Sequence, residues 1–232
     1  MHRRIFFSLA SVAALGCGGD GSGIGPPSPG AFGSADLEPE CGALNRACLS
    51  RGLDSPLAVG ARLGIGLTFD INGTSGVPAT MTTSNADVLT VSDGVVSVTG
   101  PGVAVVLVRG PDSKVLDFIH LWSAESEELR LIRYTADAEP FGIIRDSGTL
   151  LAGDELLLAV EAFAGTQPLI GLFDTEWSIE VLDPGPGTGP VVSVVEDVVF
   201  GLFRIVARAP GRVRLSAASL GIETALELEV LP

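Results

Sequence analysis

From Pro56 onward, apolar residues recur at every second position and Gly or Pro interrupts them at short intervals. Leu63, Ile65, Leu67 and Phe69 share one side of an extended segment, and Asn72-Gly73 then offers a turn that accepts positive φ. Val96 and Val98 lie inward on a second segment, Pro101-Gly102 turns the chain, and Ala104, Val106 and Val108 lie inward on a third. A strand sends alternate side chains to opposite faces, whereas an amphipathic helix needs a period of about 3.6 residues. No stretch here carries the helical period with caps. Short alternating strands with Gly/Pro punctuation predict an all-β protein built as an antiparallel sandwich or barrel.

The second half repeats the first. Leu57-Ala58-Val59-Gly60 followed by Leu63, Ile65 and Leu67 matches Leu151-Ala152-Gly153 followed by Leu156, Leu158 and Val160 at an offset of 93. Val96, Val98, Pro101-Gly102, Ala104, Val106 and Val108 match Ile205, Ala207, Pro210-Gly211, Val213, Leu215 and Ala217 at an offset of 109. The second copy is therefore longer by 16 residues between these blocks, and Asp183-Pro184-Gly185-Pro186-Gly187-Thr188-Gly189-Pro190 reads as most of the insertion. Two tandem sandwiches follow, over 55–124 and 128–232, with Val96, Val106, Ile205 and Leu215 expected inside two separate cores.

Ahead of them, Met1-His2-Arg3-Arg4 precedes an apolar run from Ile5 to Leu15 that ends in Ala14-Leu15-Gly16-Cys17. The run is too short for a membrane span and has the flanks of an export signal. Its end resembles the lipobox cut by lipoprotein signal peptidase, which implies a signal peptide over 1–16 and a lipid on Cys17. An ordinary secretory signal with an incidental cysteine is the competing reading. Residues 18–35 hold seven Gly, three Pro and three Ser, so 17–54 reads as a lipidated Gly/Pro-rich tether with a reach of about 20–25 Å, closed by a short disulfide loop. Gly18 stands where an aspartate often retains lipoproteins in the inner membrane, so the expected place is the cell envelope, lipid-anchored at the outer membrane.

Removing residues 1–16 takes away Arg3 and Arg4 and no acid, leaving 12 basic against 28 acidic residues, a net charge of −16. Such a chain repels phosphate backbones and anionic head groups, which excludes nucleic-acid binding and leaves the acyl chains as the contact with the membrane. Setting Cys17 aside, Cys41 and Cys48 remain, and an even pair in an oxidising compartment reads as a disulfide contributing about 2.5 kcal/mol by the loop-closure estimate. A zinc half-site is the alternative for the pair, with His120 as the sole histidine left to complete it.

The stretch from Thr82 through Val88-Leu89-Thr90-Val91, the Asp93-Gly94 turn and Pro101-Gly102 into Val103–Val108 resembles the bacterial Ig-like group 2 family of surface-protein repeats. The second copy has Trp177 near the place where that family carries a core tryptophan, and the first has Met81 there. The first copy lacks an evident opening strand before Pro56. The resemblance implies a β-sandwich acting as spacer or adhesive module, without cofactor.

Catalytic patterns are thin. His120 sits among strand residues, no G-x-S-x-G elbow surrounds any serine, and Ser113 and Lys114 are adjacent and so point to opposite faces of a strand. Asp174 and Glu176 beside Trp177, or Asp154-Glu155, are the acids from which a glycosidase site could be built. No calcium loop of the D-x-[DN]-x-[DN]-G type and no metal ligand set is present. Arg204, Arg208, Arg212 and Arg214 form the one basic cluster. If their strands are neighbours, they give a cross-strand patch suited to an anionic polymer such as lipopolysaccharide or cell-wall glycan. The same arginines serve equally as a solvated face paired with acids. The function expected is a non-enzymatic structural, adhesive or binding module of the envelope, with an envelope glycan or surface protein as partner. An envelope hydrolase or its carbohydrate-binding subunit is the alternative.

Overall fold

The computed structural model describes residues 34–41, 46–71, 74–75, 78–137, 139–197 and 202–232. The expected signal peptide, Cys17, the expected tether as far as residue 33 and the Asn72-Gly73 turn lie outside them. The first sandwich comprises β1 (Ser34–Glu40), α1 (Arg46–Arg51), β2 (Leu57–Ala58), β3 (Arg62–Ile71), β4 (Thr74–Ser75), β5 (Thr80–Thr83), β6 (Leu89–Ser92), β7 (Val95–Val98), β8 (Gly102–Arg109) and β9 (Val115–Ala124). The second comprises β10 (Glu128–Tyr134), β11 (Pro140–Ile144), β12 (Ser147–Leu151), β13 (Glu155–Ala164), β14 (Gln167–Pro168), β15 (Glu176–Asp183), β16 (Val192–Asp197), β17 (Leu202–Ala207), β18 (Gly211–Ser219) and β19 (Ile222–Leu231).

The two copies have one topology. One sheet runs β1-β3-β7-β6 in the first and β10-β13-β17-β16 in the second; the facing sheet runs β2-β9-β8-β5 and β12-β19-β18-β15. This strand order is that of an immunoglobulin-like sandwich, four strands against a three-stranded sheet extended by a split first strand. The split half pairs in parallel, β2 with β9 and β12 with β19, so the sheets are mixed where alternation alone predicts antiparallel pairing. Both offsets hold in three dimensions: β13 takes the place of β3, and β18 that of β8. Gly102 and Gly211, at equivalent positions, have φ of 139° and 152°, a region open to glycine and costly for other residues. In the second copy a Cβ on Gly211 would lie 2.6 Å from the Asp183 carbonyl oxygen.

The inward positions are those set by the alternation. Val96, Val106, Ile205 and Leu215 are all 0% exposed, and burying each such side chain stabilises by roughly 1.5–3 kcal/mol. They fall in two separate cores as the alternation predicts, Val96 and Val106 in the first and Ile205 and Leu215 in the second, and one side chain reaches across. Ile170 of the second sandwich belongs to the first core, alongside Leu57, Leu63 and Val98. A further cluster of Ala58, Ala61, Leu129, Ala162 and Leu169 seals the junction, where three alanines allow the two bodies to approach.

Two expectations are corrected. The chain from Ser34 is not tether: β1 pairs antiparallel with β3 and buries Ala35 and Leu37, supplying the opening strand that the first copy lacked on paper. Pro39 is tolerated because β1 is an edge strand whose only partner among the described residues is β3. The Pro/Gly-rich segment after β15 supplies only a minor part of the longer second copy. The longer β15 and the segment Leu169–Thr175, which docks on the first sandwich, supply much of the rest.

Candidate functional site

Cys41 follows β1 and Cys48 lies in α1; they form a disulfide with 5.5 Å between Cα atoms. Cys48 is buried against the first core with Leu53. The bond thus pins the crossover from β1 in one sheet to β2 in the other, the position that β11 occupies in the second copy.

The four arginines do not form one patch. β17 and β18 are consecutive in sequence, but they belong to opposite sheets, so Arg204 sits on the outer face of one sheet and Arg212 and Arg214 on the outer face of the other. The connection through Arg208–Pro210 is an arch across the sandwich rather than a hairpin within a sheet. Each arginine also meets polar or acidic neighbours. Arg204 lies 3.6 Å from Glu155, Arg212 lies 3.3 Å from Glu227, and Arg208 Nε donates to Ser193 Oγ at 3.1 Å. Arg214 stands in register between Glu180 on β15 and Glu227 on β19. Opposite charges on neighbouring strands contribute tenths of a kcal/mol each and keep the face solvated.

The acids beside Trp177 are also divided. Glu176 is opposite Ala218 on the outer side of its sheet, while Trp177, opposite the core residue Ala217, faces the interior. Asp174 lies 3.6 Å from Arg62 across the junction of the two sandwiches. Trp177 instead lines a cleft of about 400 Å³ with Ile179, Val194 and Phe203, where the sandwich gapes between its edge strands. Its ring centroid is 5.0 Å from that of Phe203. Glu196 is the only carboxylate on this cleft among the described residues, so no pair of acids flanks it.

The surface feature that stands out is on the first sandwich. On β8 and β9 the inward positions Ala104, Val106, Val108 and Leu121 are fully buried, which sends Val103, Val105, Leu107, Phe118, His120 and Trp122 outward. These six pair across the strands as Val103–Trp122, Val105–His120 and Leu107–Phe118. Val103 and Phe118 are each 56% exposed and Trp122 is 47% exposed. Phe118 and His120 meet edge to face, with centroids 5.5 Å apart. Beside this apolar pair of lanes, β5 sets Thr82 opposite Leu107, and Arg109 donates from Nε to the Thr82 hydroxyl at 3.1 Å. None of these outward residues is acidic.

The second copy provides an internal comparison. Where the first has Val103 opposite Trp122, the second has Arg212 opposite Glu229. Val105 and His120 correspond to Arg214 and Glu227, and Leu107 and Phe118 to Ser216 and Ala225. One backbone thus carries a solvated, ion-paired face in one copy and an apolar, aromatic face in the other. Soluble proteins seldom leave contiguous apolar patches exposed unless something covers them. The sequence signal was present: Gly102–Arg109 is apolar on both faces, whereas Gly211–Ser219 has arginines at its outward positions.

No family model matches the chain, and no curated protein matches it. Among solved structures, it is similar to domains 4 and 5 of the S-layer protein SbsC, with 17% identity and a TM-score of 0.33 over 87% of this chain and 100% of that one. It is also similar to the Escherichia coli adhesin FdeC, with 13% identity and a TM-score of 0.33 over 85% of this chain and 63% of that one. The Yersinia pseudotuberculosis adhesin InvE gives 12% identity and a TM-score of 0.32 over 87% of this chain and 60% of that one. This chain spans less than two thirds of either adhesin structure.

Proposed function

We propose that this chain is a non-enzymatic, lipid-anchored module of the bacterial envelope, in which two Ig-like sandwiches act as one stiff body presenting a binding face. Cys17 carries the anchor, and the outward residues of β8 and β9 form the face. The observation that carries the reading is the contrast between Val103/Trp122 and Arg212/Glu229 at equivalent positions. The junction supports it: the Ile170 side chain in the first core and small alanines between the bodies favour a fixed orientation over a swivel. Separation of Arg204 from Arg212 and Arg214 turns the reading away from an anionic-polymer patch and toward an apolar contact. Separation of Glu176 from Trp177 leaves the hydrolase alternative without its pair of acids around one cleft.

The test uses a photo-reactive amino acid at position 105 or at position 214 of the full chain in producing cells. The account expects covalent adducts from position 105 and few from position 214. Absence of adducts from position 105 would refute it.

A further inference from the structure

We infer that the partner of the β8–β9 face is the same face of a second copy of this chain, an inference that rests on the binding-face reading above. Three observations point to it. The first is shape. The face has a tall lane, Phe118, His120 and Trp122 on β9, beside a lower lane, Val103, Val105 and Leu107 on β8, paired rung by rung. A two-fold axis parallel to the strands and midway between them lays each tall lane over the other copy's low lane. A face with one high and one low lane is thereby its own complement, as an isologous interface requires. Sheets packed in this aligned way sit about 10 Å apart, close enough for the aromatic rings to reach the valines.

The second observation is charge. The chain carries a net charge of −14, so two copies repel over most of their surfaces. The lanes of β8 and β9 contain no carboxylate, and the nearest cation, Arg109, is held at the rim by Thr82 and by the Ser113 carbonyl at 2.8 Å. The face is where two such molecules can meet with little Coulombic cost, while the equivalent Arg212/Glu229 face of the second sandwich keeps its water.

The third is size. Three strands about 4.8 Å apart, with about 3.4 Å of rise per residue over some six residues, give a patch of about 300 Å², well below the roughly 800 Å² per partner that a stable complex buries in dilute solution. The pair is therefore weak when dilute, and anchoring both copies to one membrane raises their effective concentration enough to populate it.

The same two-fold sets Val103 of one copy against Trp122 of the other, which fixes the test. The double variant Val103→Arg/Trp122→Glu copies the Arg212/Glu229 pair that the second sandwich already tolerates, so it keeps the fold, checked by an unchanged melting curve of the purified chain. Differently tagged full-length chains, one with the photo-reactive residue at position 105, are co-produced and irradiated in cells. The expected result is a cross-linked species containing both tags, reduced about tenfold or more in the double variant. Adducts only with a different protein would overturn the self-pairing and leave the binding face standing. No adduct at all would remove both, and a two-tag species undiminished in the double variant would place self-association elsewhere on the molecule.

Discussion

Arg62 in the first sandwich and Leu172 in the second exchange a pair of backbone hydrogen bonds, Arg62 N to Leu172 O at 2.9 Å and Leu172 N to Arg62 O at 2.6 Å. Ala58 N donates to Ile170 O at 3.0 Å and Ile170 N to Pro56 O at 2.9 Å, so the segment before β15 joins the first sandwich as a short added strand. Gly171 sits between these bonds with φ of 124°, and a Cβ there would stand 2.6 Å from Ala61 Cβ. Gly171→Ala should therefore loosen the joint by strain and by contact, and Ile170→Ala should cost about 2–5 kcal/mol by leaving a hole in the first core. Heating the wild-type chain should unfold both sandwiches together, and either variant should split the transition in two. A single unchanged transition in both variants would mean that the joint contributes nothing.

Within the second sandwich, Leu215 is fully buried while Arg214 beside it points to solvent between Glu180 and Glu227. Leu215→Ala should cost about 2–5 kcal/mol in denaturant unfolding and Arg214→Ala well under 1 kcal/mol. The reverse order would shift the register of β18 by one residue.

Glu128 accepts a 2.6 Å hydrogen bond from Arg130, which holds its carboxyl below the ordinary value of 4.5. Arg130 in turn lies 3.9 Å over the Phe163 ring and donates to Gly165 O at 3.0 Å. Because the folded state lowers this pKa, the stabilisation is present at neutral pH and is lost as pH falls below the ordinary glutamate range through the folded value. The stability difference between wild type and Glu128→Gln should accordingly be constant at neutral pH and shrink in acid. A difference that stayed flat through the acid range would show that the pair is not coupled to folding.

Much of this architecture is legible in the residues themselves. Strands β3, β8, β13 and β18 follow from strict alternation with one buried face, and the offsets of 93 and 109 identify the duplication in the residues alone. Strand β1 is obscured because Ala35 and Leu37 alternate with acids and end at Pro39, directly after a run of Gly and Pro. The arginine patch fails for a different reason: alternation tells which face of a strand is inward, but not which sheet the strand joins. A three-residue link such as Arg208–Pro210 serves a hairpin or an arch equally well. The β8–β9 face is hidden in the sequence because Val103–Val108 is apolar at inward and outward positions alike, and such a run reads as a strand buried on both sides.

For the anchor, Ala14-Leu15-Gly16-Cys17 after an apolar run motivates Cys17→Ser. A single acyl chain binds membranes only marginally and two or more hold firmly, so removing the lipid site should move the chain from the membrane fraction to the soluble one or leave it as uncut precursor. Unaltered processing and membrane association would argue for an ordinary secretory signal.

The central claim is that the outer face of β8 and β9 is covered in the envelope while its counterpart on β18 and β19 is wet. Brief covalent labelling with a small, side-chain-reactive carbene, read by mass spectrometry, measures this directly by comparing intact cells with dilute purified chain. The account predicts that Phe118 and Trp122 label strongly in the dilute chain and are protected in cells, while Glu227 and Glu229 label equally in both. Equal labelling of Trp122 in the two states would contradict it.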